Sequence, residues 1–372
     1  MRLICVAGTR PNFVKVKPVM DALEARGAEV ILVHTGQHYD PAMSEVFFGD
    51  LGIRRADHFL GAGSGTHAVQ TSRVMTAFEP LAAGLAPDAV VVVGDVNSTL
   101  ACALVAAKLR IPLAHVEAGL RSGDRSMPEE INRIVTDRLA DYLFAPSADA
   151  AANLRAEGCQ PEQIHLVGNV MVDTLLANAE RAASRGTPAG LGLRSGQYGL
   201  VTLHRPANVD DPAVLGALAP ALAEISRDCP LVLPAHPRAD GPLRRAGLAD
   251  VVRIIPPAGY LDFIALEAAA RLVLTDSGGV QEETTVLGVP CLTLRDSTER
   301  PITLTEGTNR LVGRDPDRIV RAVREVLAAP PPVPRAPALW DGQASLRIAA
   351  ILLAGRDRAV SSDVSPPLAA GR

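Results

Sequence analysis

Short apolar runs alternate along the chain with longer stretches whose apolar positions recur every three to four residues. Residues 3–7, 29–34, 88–94, 111–116 and 141–145 read as strands, and the run 88–94 (D-A-V-V-V-V-G) is the fully buried kind. Residues 13–26, 98–109 and 129–140 read as helices, with Pro18 expected to start or kink the first. The pattern then repeats, with strands at 198–203, 230–235, 251–255, 271–274 and 290–294 and helices at 211–227, 262–270, 280–287 and 315–328. Strand and helix alternating at this spacing predict an α/β protein of doubly wound parallel sheets, each covered on both faces. The two halves suggest domains at residues 1–168 and 169–343, joined through an Arg-, Gly- and Ser-rich stretch at 179–196. A proline-rich bridge at 330–337 leads to a last helix at about 344–355, expected to pack back on the first domain, and 356–372 is expected to be a disordered tail.

The length of 372 residues suits two domains, and a 48% hydrophobic content suits two cores. Aromatic residues make up only 3% and the net charge is -4, so neither a stacking platform for nucleic acid nor attraction to an anionic membrane is implied. No apolar run reaches the roughly 18 residues of a membrane span. Met1-Arg2-Leu3 leads straight into a strand, so no signal peptide is expected. Five scattered cysteines form no C-x-x-C and no zinc spacing; they fit small core residues in a reducing cytoplasm. No metal is expected.

Ligands of such sheets bind beyond the carboxyl ends of the strands, and the largest cleft should lie between the domains. The stretch Thr275-Asp276-Ser277-Gly278-Gly279-Val280-Gln281-Glu282-Glu283 follows a strand and opens a helix. Gly278 and Gly279 let backbone N–H groups approach a ligand, the helix start favours a phosphate, and Ser277 adds a hydroxyl. Glu282 or Glu283 could accept the two hydroxyls of a ribose. Other strand-end loops carry Gly8-Thr9-Arg10 with Lys15 beyond it, Gly94-Asp95, Glu117, Glu129 after Pro128, His204-Arg205, His236 and Thr298-Glu299-Arg300-Pro301. Asp95 or Glu129 alone would pass for a helix cap. Together, Asp95, Glu117, Glu129, Lys15 and His204 are too many ionisable groups at sheet ends for caps, and they make an acid–base set. Arg10, His236 and the helix start at Gly279 can neutralise a diphosphate. The first turn is G-T-R-P, not G-x-G-x-x-G, so no nicotinamide cofactor is expected.

These motifs, with Thr35-Gly36-Gln37-His38, His115-Val116-Glu117-Ala118-Gly119-Leu120-Arg121, Pro128-Glu129-Glu130 and Gly168-Asn169, resemble the non-hydrolysing UDP-N-acetylglucosamine 2-epimerases over about residues 2–355. The resemblance implies a GT-B-like fold of two Rossmann-like domains with the active site in the cleft between them, a homodimer, and no cofactor. It implies reversible inversion of carbon 2 of UDP-N-acetylglucosamine, by anti elimination of UDP to a 2-acetamidoglucal and re-addition. Acid–base roles fall to Asp95, Glu117 and Glu129. Lys15 lies in the sugar site and His204 near the sugar and diphosphate. Arg10, His236, Ser277 and Gly278 hold the diphosphate, and Glu283 the ribose.

The chain departs from the usual bacterial pattern at Asn12, at Asp40, in His204-Arg205-Pro206-Ala207-Asn208 and at Ile302. Substrate activation through the Gln37-His38 loop is therefore expected to be weak or absent. The competing readings are a hydrolysing epimerase that releases UDP and free N-acetylmannosamine, a GT-B glycosyltransferase sharing the nucleotide clamp, and a non-catalytic sugar-nucleotide sensor.

Overall fold

The computed structural model describes residues 1–37, 48–235, 237–330 and 335–362. Val-, Ile- and Leu-rich runs without internal charge form strands that are buried on both faces. In the first half these are β1 (Arg2–Ala7), β2 (Glu29–His34), β3 (His58–Phe59), β4 (Ala89–Val93), β5 (Leu113–Val116), β6 (Tyr142–Ala145) and β7 (Ile164–Leu166). They form one sheet in the order β3-β2-β1-β4-β5-β6-β7, with every pairing parallel. The second half contributes β8 (Gly199–Thr202), β9 (Leu231–Pro234), β10 (Arg253–Ile255), β11 (Leu272–Thr275), β12 (Cys291–Thr293) and β13 (Asn309–Leu311). These order as β10-β9-β8-β11-β12-β13, again all parallel. In each sheet the direction of winding reverses beside the first strand, between β1 and β4 and between β8 and β11. That switch opens a crevice at the carboxyl ends of those strands.

Helices cover both faces, and apolar clusters lie on each side of each sheet. Several helices stand where the spacing of apolar residues places them, including Asn97–Lys108, Pro128–Leu139, Gly278–Leu287 and Pro316–Ala328. Among the described helices of eight residues or more, four are new: His67–Leu85, Ala148–Ala156, Val170–Ser184 and Pro237–Arg245. The first of these buries only Gln70, Val74, Phe78 and Ala82, one residue per turn, a stripe too thin to stand out in the sequence.

Two expectations are corrected. The first helix runs unbroken from Arg10 to Glu24, with Pro18 inside it. Proline leaves the carbonyl four residues earlier without its helical donor. Here that carbonyl, of Val14, accepts the hydroxyl of Thr174 at 2.6 Å, so it is not left unpaired in the core. The last helix is Ala344–Ser362 and continues into the segment expected to be a tail. After Gly355 the sequence meets no glycine or proline until Pro366, so nothing halts the helix at 355. Asp173 caps its start, accepting from the backbone N–H of Ala344 at 3.1 Å and of Ser345 at 2.7 Å. Ala344, Ile348, Ala349 and Leu352 enter the same core as Phe13 and Val16, so this helix packs on the first half. Among the described residues, no helix is long and apolar enough to cross a membrane.

Candidate active site

The first half brings the ends of β1, β4 and β5 together. After β1, Asn12 closes the turn: its Oδ1 accepts the N–H groups of Gly8 at 3.1 Å and Thr9 at 3.0 Å, and its Nδ2 donates to the carbonyl of Val93 at 3.1 Å. This clamp joins β1 to β4 and sets the start of the helix that carries Arg10 and Lys15. Lys15 is buried and ion-paired with Glu117, which is also buried. Glu117 follows β5 with φ of 70°, a left-handed conformation that costs a non-glycine residue about 1–3 kcal/mol. Gly94, after β4, leaves room for the pair, since a Cβ there would lie 3.2 Å from Lys15 Nζ and 3.4 Å from Glu117 Oε2. The carbonyl of Gly94 accepts from His115 Nε2 at 2.8 Å, and His115 Nδ1 lies 2.6 Å from Asp137.

Asp95 pairs with Arg133, and Arg133 also meets Glu130 at 2.7 Å. Burial pushes the Asp95 carboxyl up, but Arg133, Lys15 and Arg300 outweigh it and hold the group below its ordinary value. Asp95 is therefore ionised at neutral pH.

The second half supplies the helix Gly278–Leu287, with Ser277 as its N-cap and no capping hydrogen bond from the Ser277 side chain. The space that Gly278 leaves is filled by an arginine: a Cβ on Gly278 would lie 2.8 Å from Arg300 Cζ. Arg300 reaches Glu282 at 2.8 Å, Glu299 at 3.5 Å and Glu117 at 3.8 Å. One buried guanidinium thus links the carboxylate after β5 to the helix start after β11. Among the described residues, Glu117 Oε1 has no hydrogen-bond partner.

Burial pushes the Glu282 carboxyl up to about 7, with Arg300 pulling against it and Glu117 adding to it. Burial and the neighbouring Glu282 push Glu283 up to about 8, and the Tyr260 hydroxyl donates to Glu283 across 3.5 Å. His204, after β8, places Nδ1 2.9 Å from Asp276 Oδ1, and its ring is half exposed. Asp276 also accepts from the backbone of Arg205 at 3.0 Å and from Asn208 at 3.0 Å. Those donors outweigh burial and lower its carboxyl.

The structure therefore gathers Lys15, Asp95 and Glu117 into one cluster. It sets Ser277, Gly278, Gly279 and Glu283 on one helix, and His204 on the neighbouring strand end. Glu129 stands half-buried on the first turn of Pro128–Leu139 and makes no ion pair or hydrogen bond with a described side chain. Its neighbour Glu130 is the buried one, accepting the N–H groups of Ser122 and Gly123, each at 3.0 Å. His236, His38 and Asp40 lie outside the described residues. Sequence reasoning missed Arg133, Asp276 and the central part played by Arg300. Arg300 had a signal, its place in the strand-end motif Thr298-Glu299-Arg300-Pro301. Arg133 had only the Asn132-Arg133 that continues Pro128-Glu129-Glu130.

A family model described as UDP-N-acetylglucosamine 2-epimerase matches residues 21–353. The chain is 44% identical over 338 residues to a UDP-N-acetylglucosamine 2-epimerase of Methanocaldococcus jannaschii, spanning 88% of this chain and 92% of the relative. It is 46% identical over 331 residues to a UDP-2,3-diacetamido-2,3-dideoxy-D-glucuronate 2-epimerase of Pseudomonas aeruginosa, with coverage of 88% and 92%. Among solved structures, the M. jannaschii UDP-GlcNAc 2-epimerase in complex with UDP-GlcNAc and UDP matches with a TM-score of 0.88 and 42% identity, over 95% of this chain and all (100%) of that one. A UDP-GlcNAc 2-epimerase from Neisseria meningitidis bound to UDP-GlcNAc matches with a TM-score of 0.88 and 29% identity, with coverage of 95% and 100%. A sucrose-phosphate synthase of Thermosynechococcus elongatus, 17% identical with a TM-score of 0.62, shares the fold alone. That shared fold is the GT-B-like arrangement of two Rossmann-like domains.

Proposed function

The chain belongs to the UDP-N-acetylglucosamine 2-epimerase family, and on that premise we propose that it interconverts UDP-N-acetylglucosamine and UDP-N-acetylmannosamine without hydrolysis. The observation that carries this reading is the Arg300 bridge. It joins a carboxylate–lysine cluster to an uncapped helix start, so a sugar and its diphosphate can lie on opposite sides of one guanidinium. In the forward direction a carboxylate of the set Asp95, Glu117 and Glu129 takes the proton from carbon 2. The bond from carbon 1 to the UDP oxygen breaks, and a double bond forms between carbons 1 and 2. Arg10, His204, His236 and the backbone at Ser277, Gly278 and Gly279 receive the charge that develops on the departing diphosphate. Lys15 keeps the acid–base cluster balanced, and Glu283 holds the ribose. Another carboxyl then returns a proton to the opposite face of carbon 2, and UDP re-adds at carbon 1.

The test is proton NMR of UDP-N-acetylglucosamine with the pure protein in deuterium oxide, without nicotinamide. Growth of UDP-N-acetylmannosamine with loss of the carbon 2 proton signal is expected. Accumulation of UDP and free N-acetylmannosamine would establish the hydrolysing outcome instead, and turnover only with an added acceptor would establish a transferase. The P. aeruginosa relative favours a second reading, the same inversion on a diacetamido uronate. A higher kcat/KM on that sugar than on UDP-N-acetylglucosamine would decide for it.

We also read the protein as a homodimer. A groove lined by Met75, Leu100, Pro128 and Ile131 supports this, and Ile131 is 37% exposed. Sedimentation equilibrium showing monomer alone at micromolar concentration would refute it.

A further inference from the structure

The helix Tyr260–Ala268 carries a glutamate that has no part in the chemistry above. Glu267 is fully buried, and among the described residues no N–H or hydroxyl group donates to either of its carboxyl oxygens; the carboxyl of Glu283 lies within hydrogen-bonding reach of it. Among the described residues, the charged group that acts on it is another acid, Glu283. On its own helix, Tyr260 faces the same pair, and its hydroxyl lies 3.5 Å from Glu283 Oε1. From the helix Gly278–Leu287, Glu282 acts on Glu283 but is itself bound by Arg300 at 2.8 Å. From β12, the buried Cys291 thiol lies within the field of Glu267. None of these neighbours is a base that could balance an anion on Glu267. A carboxyl in such a place keeps its proton, because its ionised form would be buried without compensation. Burial and Glu283 accordingly push it well above the usual carboxyl range.

A protonated carboxyl has one hydrogen to donate, and an ionised one has none. We propose that Glu267 is a positioning residue for the nucleotide, donating a hydrogen bond to Glu283 and so holding that side chain open to receive the two hydroxyls of a ribose. The inference rests on the reading of Glu283 as the ribose group. Such a donation favours the ionised form of Glu283, as does the Tyr260 hydroxyl. A ribose diol, with two donors of its own, favours it further. Binding then expels the proton of Glu283 to solvent, while Glu267 keeps its own.

Calorimetric titration of the full chain with UDP and with 2′-deoxy-UDP tests this. The unmodified protein is expected to prefer UDP by about tenfold, the worth of one well-placed hydroxyl. Glu267→Gln, which retains a donor, keeps that preference. Glu267→Met, of similar size but without a donor, reduces it to less than about threefold. Equal weakening of both nucleotides by Glu267→Met would make the residue merely structural and overturn the proposal. Glu283→Gln is the control: if it leaves the preference intact, the ribose reading itself fails. If it abolishes the preference while Glu267→Met does not, only the role of Glu267 fails. A second measurement needs no variant. At pH 8, near the titration of Glu283 at about 8, titration in buffers of different ionisation enthalpy should show release of about half a proton on UDP binding. Less should be released with 2′-deoxy-UDP, and no release would also overturn the proposal.

Discussion

Replacing Gly278 by alanine puts a methyl carbon where the Arg300 guanidinium now lies. The new Cβ would stand 2.8 Å from Arg300 Cζ and 3.3 Å from Nε, against an ordinary contact of about 3.5–4.0 Å. The end of an arginine can usually swing aside at little cost. This one is 8% exposed and held between Glu282, Glu299 and Glu117, so a shift of about 1 Å must loosen those ion pairs in a buried place. Overpacking of this kind costs about 1–3 kcal/mol, and the helix preference for alanine over glycine returns at most about 1 kcal/mol. The net loss of about 1–2 kcal/mol should lower the melting temperature by roughly 2–8 °C. Activity should suffer more, because a displacement of about 1 Å at a reacting centre costs on the order of 100-fold in rate. Gly279→Ala is the matched control. Its Cβ would meet only Met171 Cε, at 3.4 Å, so stability should hold or rise, while UDP binding weakens if backbone N–H groups approach the diphosphate there. Thermal unfolding, UDP titration and kcat/KM for epimerisation of both variants read the comparison. If Gly278→Ala melts no lower than the parent and keeps kcat/KM within about twofold, Arg300 is not clamped and the bridge does not matter.

Thr174→Val leaves the Val14 carbonyl buried without a donor and should cost about 1–3 kcal/mol. Most of that loss should vanish in a Pro18→Ala background, where the helix supplies its own N–H, and a denaturant double-mutant cycle measures the difference. Glu283→Gln should change the pH dependence of stability. A carboxyl raised to about 8 in the folded chain, against about 4.3 unfolded, lends stability below about pH 4.3 that is lost as pH rises through 8. The variant has nothing to ionise, so relative to the unliganded parent it should gain up to about 4 kcal/mol between pH 5 and pH 8.5; thermal melts at the two pH values check this. Arg133→Met removes the largest of the groups that hold Asp95 low. The acid limb of the kcat/KM profile should move to higher pH, and an unchanged limb would mean that Asp95 is not the base that titrates there.

The architecture was legible because its signals are local. A run such as Ala89–Val93 can only be a strand buried on both faces, and strand–helix alternation fixes parallel sheets. The strand-end loops then indicated where chemistry belongs. What the sequence could not disclose is which groups meet across long separations. Gly278 reads as a residue that lets a ligand approach, yet the atom nearest its missing Cβ belongs to Arg300, twenty-two positions on. Pro18 reads as a helix start or a kink, and the hydroxyl that takes up the Val14 carbonyl it frees lies at Thr174, 160 positions from Val14. Glu267, between Leu266 and Ala268, carries no local sign of its burial, which is set by what packs on its helix.

Glu117 unites both kinds of information. Its place after β5 is evident from the apolar run that precedes it, whereas its left-handed backbone has no sequence signal, since such a conformation favours glycine or asparagine. The cost of about 1–3 kcal/mol is tolerated where the surroundings leave no alternative. Here Lys15 fixes one oxygen, Arg300 stands 3.8 Å from the other, and Gly94 clears the space. Lys15 stands with the first sheet and Arg300 with the second, so Oε1 meets its cation only when the two halves are together. The strained glutamate is thus fully defined only when the two halves are together. Separating the halves would strip Arg300 from Oε1 and leave the pair with Lys15 in place.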